Sequence, residues 1–218
     1  MISQDWISAE VNDSFDFDNS VDSYYSGEWK YPRQCRSAAE DCQYVARWEY
    51  NENTDRINFT VSSRNPDNKN KWTGIGFSDN ANMRQTDAIL GWVEPNGRYF
   101  IMDMWTTNYL APVLEDNQNI DDMSGVLEDG VTTISFSRPR DTQDSQDVAF
   151  TDTEARYMIF PVKGGRYNGV NKRIKKHEEV PIVSSERIFI KSCRTGKMYK
   201  YRQKSLKISR VNLFILTY

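Results

Sequence analysis

The stretch from Trp72 to Asp103 constrains the fold more than any other part of the chain. It contains three short runs rich in aromatic and β-branched residues, Trp72 to Phe77, Asp87 to Val93 and Tyr99 to Asp103. The sequence Pro95-Asn96-Gly97 lies between the last two runs and is typical of a hairpin turn. This stretch therefore predicts neighbouring antiparallel strands.

Further strands are predicted along most of the chain. Apolar and polar residues alternate at Gln43 to Tyr50 and at Ile57 to Val61, as in half-buried strands. Strands are also predicted at Val131 to Ser137, Arg156 to Val162 and Ile188 to Ser192. The segment from Asn108 to Gly130 has only scattered apolar residues and is predicted to be an irregular connection. No segment predicts a long helix. The sequence thus predicts an all-β protein, a single antiparallel β-sandwich.

Composition bounds the number of domains and the cellular setting. A chain of 218 residues with 38% hydrophobic and 13% aromatic residues can form one sizeable core. It has no apolar run near the roughly eighteen residues that a transmembrane helix requires. The first five residues, Met1 to Asp5, lack the pattern of a secretory signal. Read literally, the sequence indicates a cytoplasmic or nuclear protein, whereas the features described below favour an extracellular or cell-surface domain.

The two ends differ from the predicted domain, which we place at residues 42–193. Residues 1–41 are predicted to be an extended lead-in rich in acidic and aromatic residues. Residues 194–218 form a tail with basic side chains and no acidic ones, although the formal net charge of the whole chain is −3. Such a tail can bind nucleic acid or an anionic membrane surface, but the absence of an aromatic-rich reading module favours a solvated extension. A nucleic-acid partner is therefore not expected.

The three cysteines lie at the borders of the predicted domain. Cys35 and Cys42 precede the first strong strand, and Cys193 follows the last. A disulfide from Cys193 to either of the others would join the two ends of the domain, whereas a bond between Cys35 and Cys42 would close a short local loop. The sequence leaves these pairings open. It contains no Cys-x-x-Cys or Cys/His spacing typical of a structural metal site.

The acidic residues Asp141, Asp144 and Asp147 follow the predicted strand at Val131 to Ser137. Carboxylates in series suggest calcium, but this spacing lacks the alternate-residue ligands and central glycine of an EF-hand loop. A solvated acidic loop is the favoured interpretation.

Several kinds of catalysis are poorly supported by the sequence. The chain has one histidine, His177, and no Gly-x-Ser-x-Gly motif. Gly74-Ile75-Gly76 lies within a predicted strand and cannot form a phosphate-binding loop. Clustered histidines that could bind catalytic copper are absent from the sequence. We therefore expect no enzymatic activity from this domain alone.

Met83 is the exception in an otherwise polar loop between Ser78 and Thr86. A methionine most often fills a gap in a hydrophobic core. A thioether in a polar loop can also act as a soft metal ligand, and the sequence leaves both interpretations open.

The order of these features resembles the DOMON domain, an immunoglobulin-like β-sandwich. The resemblance rests on Trp-Thr-Gly-Ile-Gly-Phe-Ser at residues 72–78, the loop with Met83, then Asp87, Gly91-Trp92 and Asp103-Met104-Trp105-Thr106. The segments Phe136 to Arg138 and Asp141 to Asp147 fit the same pattern, so the match extends over most of the chain. Its details are most similar to the arthropod Knickkopf and Skeletor group of cuticle-associated proteins.

This resemblance implies two different functions. Haem-binding members of the family ligate b-type haem with a methionine in this loop and a late histidine, which correspond to Met83 and His177. Trp72 and Phe77 are then candidate haem contacts, although core packing between the sheets is the favoured role for both. Such a module would transfer electrons to a redox partner domain or sense redox state. The alternative is a haem-free binding module that organises cuticle or another chitin matrix, or a spindle-matrix protein of the Skeletor type.

Overall fold

The computed structural model describes residues 25–66 and 70–190, which form strands, turns and loops. The described part of the chain contains no helix. The eleven strands are β1 (Ser26–Tyr31), β2 (Tyr44–Asn51), β3 (Arg56–Arg64), β4 (Thr73–Ser78), β5 (Thr86–Val93), β6 (Tyr99–Thr106), β7 (Val113–Leu114), β8 (Asp121–Glu128), β9 (Val131–Pro139), β10 (Tyr157–Phe160) and β11 (Ile182–Val183).

These strands form two antiparallel sheets that pack face to face. The first sheet has five strands in the order β1-β2-β3-β9-β8, and the second has six in the order β11-β10-β4-β5-β6-β7. In the first sheet Ala46 lies opposite Val61, which lies opposite Ile134, so apolar residues share the inner face. This arrangement confirms the predicted antiparallel β-sandwich. Among residues 25–66 and 70–190, none belongs to a helix with the length and apolar character needed to cross a membrane.

The core between the sheets is dominated by aromatic rings. Phe59 of the first sheet stacks on Phe136, with ring centroids 5.2 Å apart, and contacts Phe77 of the second sheet at 5.2 Å. Trp29 of β1 stacks on Phe160 of β10 at 4.1 Å. Each large side chain of this kind contributes roughly 1.5–3 kcal/mol when it is removed from water. The inner faces of the two sheets therefore supply most of the stabilisation.

The second sheet is covered on both faces. All eight residues of β5 are buried. Ile89 points into the core between the sheets, whereas Ala88, Leu90 and Trp92 belong to a separate apolar cluster on the outer face. Loops cover this outer face and provide a third layer.

Four of the strands, β1, β7, β8 and β11, were not expected from the sequence. β1 lies within the predicted lead-in, and β7 and β8 lie in the segment predicted to be irregular, which is wrong for both strands. All four are edge strands, and β8 is exposed at six of its eight positions. An edge strand with little burial needs no apolar alternation, so its sequence gives no periodic signal.

Of the predicted last strand, Ile188 to Ser192, the structure describes the residues as far as Ile190, and these include one backbone bridge. Ile188 pairs with Arg156 outside the named strands, and Ile190 is buried in the core between the sheets. Cys193 and the basic tail lie outside the described residues.

One predicted cysteine pairing is present. Cys35 and Cys42 form a disulfide, with Cα atoms 5.0 Å apart. It closes a short local loop before β2 and packs against Val45. This bond is the local one among the alternatives that the sequence left open.

A buried ion pair joins the two sheets. Arg138 of β9 and Asp87 of β5 are fully buried, and their Nη1 and Oδ2 atoms are 2.6 Å apart. The guanidinium also lies over the rings of Phe77 and Phe150, at 5.5 Å from each centroid. Burial raises the pKa of the Asp87 carboxyl, and the charge of Arg138 acts against this shift.

We expect Arg138→Met to lower the free energy of unfolding by about 3–5 kcal/mol, because it leaves the Asp87 carboxylate buried without its cation. Chemical denaturation measures the change. Arg47→Met is the matched control, since Arg47 forms an exposed ion pair with Glu28 at 2.6 Å and exposed pairs contribute about 1 kcal/mol or less. Equal losses in the two variants would contradict a special role for the buried pair.

Replacing Cys35 and Cys42 together by serine should lower the free energy of unfolding by about 2–3 kcal/mol, as expected for a short disulfide loop. Denaturation of the wild-type protein with and without a thiol reductant should give the same difference. A variant that fails to form the sandwich would show that this loop is needed for folding and not only for stability.

Candidate functional site

An apolar pocket of about 450 Å³ lies on the outer face of the second sheet. Its floor consists of residues from the central strands, Gly76 of β4, Thr86, Ala88 and Leu90 of β5, and Ile159 of β10. Residues at i and i+2 of a strand share a face, so the floor residues lie opposite the inner residues Phe77 and Ile89. The pocket is therefore separated from the core between the sheets by the sheet itself.

Small side chains leave the space that forms the pocket. A Cβ atom at Gly76 would lie 2.9 Å from Cγ2 of Thr86 and 3.4 Å from Cβ of Ile159. Ala88 is the next small residue on this face, whereas the inner faces of the same strands carry Phe77 and Ile89. This alternation of small outer and large inner residues is a sequence pattern from which the pocket could have been predicted.

Three loops form the walls, and their rim exposes apolar side chains. They contribute Ala81 to Met83, Tyr109 to Pro112, and Ile174 to His177 with Val180 and Pro181. Tyr109, Leu110 and Val180 are 63%, 69% and 83% exposed. Apolar side chains clustered and exposed around a cavity are typical of a binding site.

Met83 is positioned by a series of turns between β4 and β5. The side chains of Asn80 and Asn82 accept hydrogen bonds from the backbone two residues further on, a pattern that tightens polar loops. The Thr106 hydroxyl of β6 donates a hydrogen bond of 2.6 Å to the carbonyl of Met83. These contacts place the half-buried Met83 in the wall of the pocket.

His177 lies in the pocket wall that is formed by the loop at residues 174–181. The indole nitrogen of Trp72 donates a 2.8 Å hydrogen bond to the carbonyl of Lys175, and the amide of Lys175 donates to the carbonyl of Arg166 at 2.7 Å. The adjacent Glu178 forms an ion pair with Lys71 at 2.8 Å. The half-buried His177 thus lines the same pocket as Met83.

The imidazole of His177 is held towards its neutral form. Burial lowers its pKa from 6.5, and the positive charge of Lys176 lowers it further. Hydrogen bonding to the backbone at Glu179 acts in the opposite direction. A neutral imidazole can donate a lone pair to a metal, which a protonated one cannot.

The two aromatic residues named as candidate haem contacts, Trp72 and Phe77, lie on opposite sides of the second sheet. Trp72 is buried and lines the pocket. Phe77 lies on the other side of the sheet, where its ring contacts Phe59 at 5.2 Å and Phe150 at 5.1 Å. The structure therefore brings Met83, His177 and Trp72 together and leaves Phe77 in the core.

Asp147 does not belong to a solvated acidic loop. Its side chain is 1% exposed, and one carboxylate oxygen from each of Asp87, Asp103 and Asp147 lies within 4.8 Å of the others. The solvated-loop prediction is wrong for this residue, because the loop after β9 folds back over the edge of the core.

Comparison with known proteins identifies the family. The DOMON domain family matches residues 40–163. The chain belongs to the DOMON family. Among curated DOMON relatives, the DBH-like monooxygenase protein 2 of Mus musculus is 26% identical over 157 residues, which is 71% of this chain. Its Homo sapiens counterpart is 27% identical over 113 residues, or 51% of this chain.

The matched segments cover 22% of the length of each of these relatives. In fold, this DOMON chain is similar to the cytochrome domain of Myriococcum thermophilum cellobiose dehydrogenase, with a TM-score of 0.53 and 10% identity over 78% of this chain and 86% of that one. The narrower prediction, the Knickkopf and Skeletor group, gains no support from these matches.

Because the chain has a single histidine, NMR can follow the His177 pKa directly. We expect a value below 6.5 in the haem-free protein, and a rise towards 6.5 in Lys176→Gln, since that variant removes a nearby positive charge. Lys30→Gln, on the other sheet, should leave the pKa unchanged.

The lowered pKa also predicts how stability depends on pH. As pH falls through the ordinary value near 6.5, the unfolded chain binds a proton at His177 before the folded protein does, so the folded state loses stability. Denaturation of wild type and His177→Gln at several pH values isolates this contribution, because carboxylates titrate in both proteins. If acidification lowers the free energy of unfolding of the wild type no more than that of the variant, the pKa of His177 is not lowered in the folded state.

Proposed function

We propose that the outer pocket binds b-type haem between Met83 and His177, and that the domain transfers electrons or senses redox state. The observation that supports this most directly is that both side chains line one apolar pocket although they come from distant parts of the chain. Methionine and histidine are a known axial pair for haem iron.

The pocket has several further properties that haem binding requires. Its volume of about 450 Å³ falls within the usual range for ligand pockets, roughly 300–1,000 Å³. The imidazole of His177 is biased towards the neutral, ligating form. Lys175 and Lys176 also line the pocket and provide positive charges for carboxylates such as haem propionates.

The protein's contribution is ligation, orientation and exclusion of water. Haem would supply reversible one-electron chemistry at its iron. The Met83 thioether favours the reduced metal and so raises the reduction potential, and the apolar floor of Gly76, Ala88 and Leu90 has the same effect by limiting solvent access. The bond between Trp72 and Lys175 holds the histidine loop in place.

We further propose that the domain works outside the cell with a redox partner domain. A disulfide such as Cys35–Cys42 is typical of oxidising compartments. The fold neighbour is the cytochrome domain of a cellobiose dehydrogenase, so a domain of this fold is there part of a redox enzyme. The monooxygenase activity named for the curated relatives is not proposed for this chain, which matches only 22% of their length.

The second candidate is a haem-free binding module of the extracellular matrix, such as cuticle. The exposed rim of Tyr109, Leu110 and Val180 favours it, because an aromatic and apolar rim can contact a sugar ring or another apolar ligand without any metal. A nuclear or spindle-matrix role depends on the basic tail, which lies outside the described residues.

Purified protein reconstituted with haem should show a Soret band that shifts on reduction. His177→Ala should lose most of the bound haem. Met83→Ala should retain haem with an altered spectrum and a midpoint potential lower by about 100 mV, a modest part of the span of about 0.8 V that axial ligands can produce. The measurements are visible spectroscopy and potentiometric titration.

Met123→Ala is the matched control, since Met123 is 40% exposed on β8 and does not line the pocket. It should bind haem with the wild-type spectrum and potential. Haem binding that survives in both Met83→Ala and His177→Ala without spectral change would exclude these ligands, and a protein that takes up no haem would favour the matrix-binding alternative.

A further inference from the structure

A second group of side chains lies on the inner side of the second sheet and is separate from the outer pocket. It comprises four carboxylates, Asp87 of β5, Asp103 of β6, Glu115 just after β7 and Asp147 in the loop after β9, with Arg138 beside them. Asp87, Asp103 and Glu115 are 0%, 1% and 6% exposed. The group thus has four carboxylates and one guanidinium, an excess of negative charge inside the protein.

Each aspartate is held through one oxygen. Oδ2 of Asp87 accepts hydrogen bonds from Arg138 at 2.6 Å and from the Val148 amide at 2.9 Å. Oδ2 of Asp103 accepts from the Asn119 amide at 3.2 Å, and Oδ2 of Asp147 accepts from the Asn119 side chain at 2.8 Å. These bonds fix the orientation of all three carboxylates.

The other oxygen of each aspartate has no partner. Oδ1 of Asp87, Asp103 and Asp147 is shielded from solvent and makes no hydrogen bond to any residue that the structure describes. One carboxylate oxygen from each residue lies within 4.8 Å of those of the other two. Two oxygens bound to one calcium ion, each at 2.3–2.6 Å, are at most about 4.6–5.2 Å apart. The spacing therefore suits a shared ion.

Glu115 gives an independent indication of a ligand, because it is not one of these three clustered aspartates. It is 6% exposed, and neither of its carboxylate oxygens makes a hydrogen bond within the described part of the chain. Its amide donates a 3.2 Å hydrogen bond to the carbonyl of Asp103. The side-chain amide of Gln118 donates to the carbonyls of both residues, at 2.9 Å for Asp103 and 3.0 Å for Glu115. Glu115 is thus held beside one of the three aspartates. A buried carboxylate with no donor is costly unless a cation accompanies it.

The chemistry of the donor set selects the kind of cation. All the available ligand atoms are carboxylate oxygens, which hard cations prefer, whereas zinc favours nitrogen and sulfur. Mg²⁺ requires near-octahedral geometry at short distances and usually keeps several waters. An enclosed and irregular set of carboxylates suits Ca²⁺ better.

We propose that Asp87, Asp103, Glu115 and Asp147 bind one calcium ion on the inner side of the second sheet. The ion would join β5, β6, the segment after β7 and the loop after β9. Its ligands would thus come from four separate segments and not from one continuous loop, as in an EF-hand. Glu115 follows Tyr109 to Pro112, the segment that forms one wall of the outer pocket. Calcium would therefore also fix that wall.

Isothermal titration of the chelator-treated full chain with CaCl₂ tests the proposal. We expect one ion bound per chain. Saturating calcium, near 100 times the dissociation constant, should raise the Tm by about 5–10 °C. MgCl₂ at the same concentration should give a much smaller shift, and an equal shift would overturn the assignment to calcium.

Glu115→Gln and Asp103→Asn keep the side-chain shape and remove one ligand charge. Each should weaken calcium binding at least tenfold, and circular dichroism checks that the sandwich forms. Asp116→Asn is the matched control, because Asp116 is the exposed acidic neighbour of Glu115 and should bind calcium within twofold of wild type. The proposal is overturned if wild type binds no calcium and shows no Tm shift, or if Glu115→Gln binds as tightly as wild type. Because no haem enters these measurements, they succeed or fail independently of the haem proposal.

Discussion

The ion pair between Arg138 and Asp87 is the contact on which the rest of the structure depends. It joins β9 of one sheet to β5 of the other within the core, at a 2.6 Å separation that excludes solvent. Phe77 and Phe150 flank the guanidinium and prevent water from relieving its charge. Loss of either partner would leave a buried charge, so the relative position of the two sheets is specified at this point.

Strand β5 connects the two proposed sites because its two faces have different roles. Thr86, Ala88 and Leu90 form the floor of the outer pocket, whereas Asp87 and Ile89 face the other sheet. Binding at either face would restrain the same central strand. The proposed haem and calcium sites thus lie on opposite faces of the second sheet, although each proposal can be tested without the other.

The central strands were predictable because a half-buried strand alternates in sequence as it does in space. β2, β3 and β9 follow this rule. The edge strand β8 does not, since few of its residues are buried and pairing with β9 alone defines it. The burial of Asp147 was also missed, because a loop rich in Asp looks solvated unless its distant partners Arg138 and Asn119 are known.

The sequence by itself determined the fold class, because strand formation depends on residue type and local period, and its resemblance to the DOMON family made Met83 and His177 the candidate haem ligands. Only the tertiary structure decided that both line one pocket on the outer face of the second sheet. It alone brought the carboxylates of Asp87, Asp103 and Asp147 together from separate segments beside Arg138. The physical reason is that strand order and register are set by long-range packing, which no local pattern records.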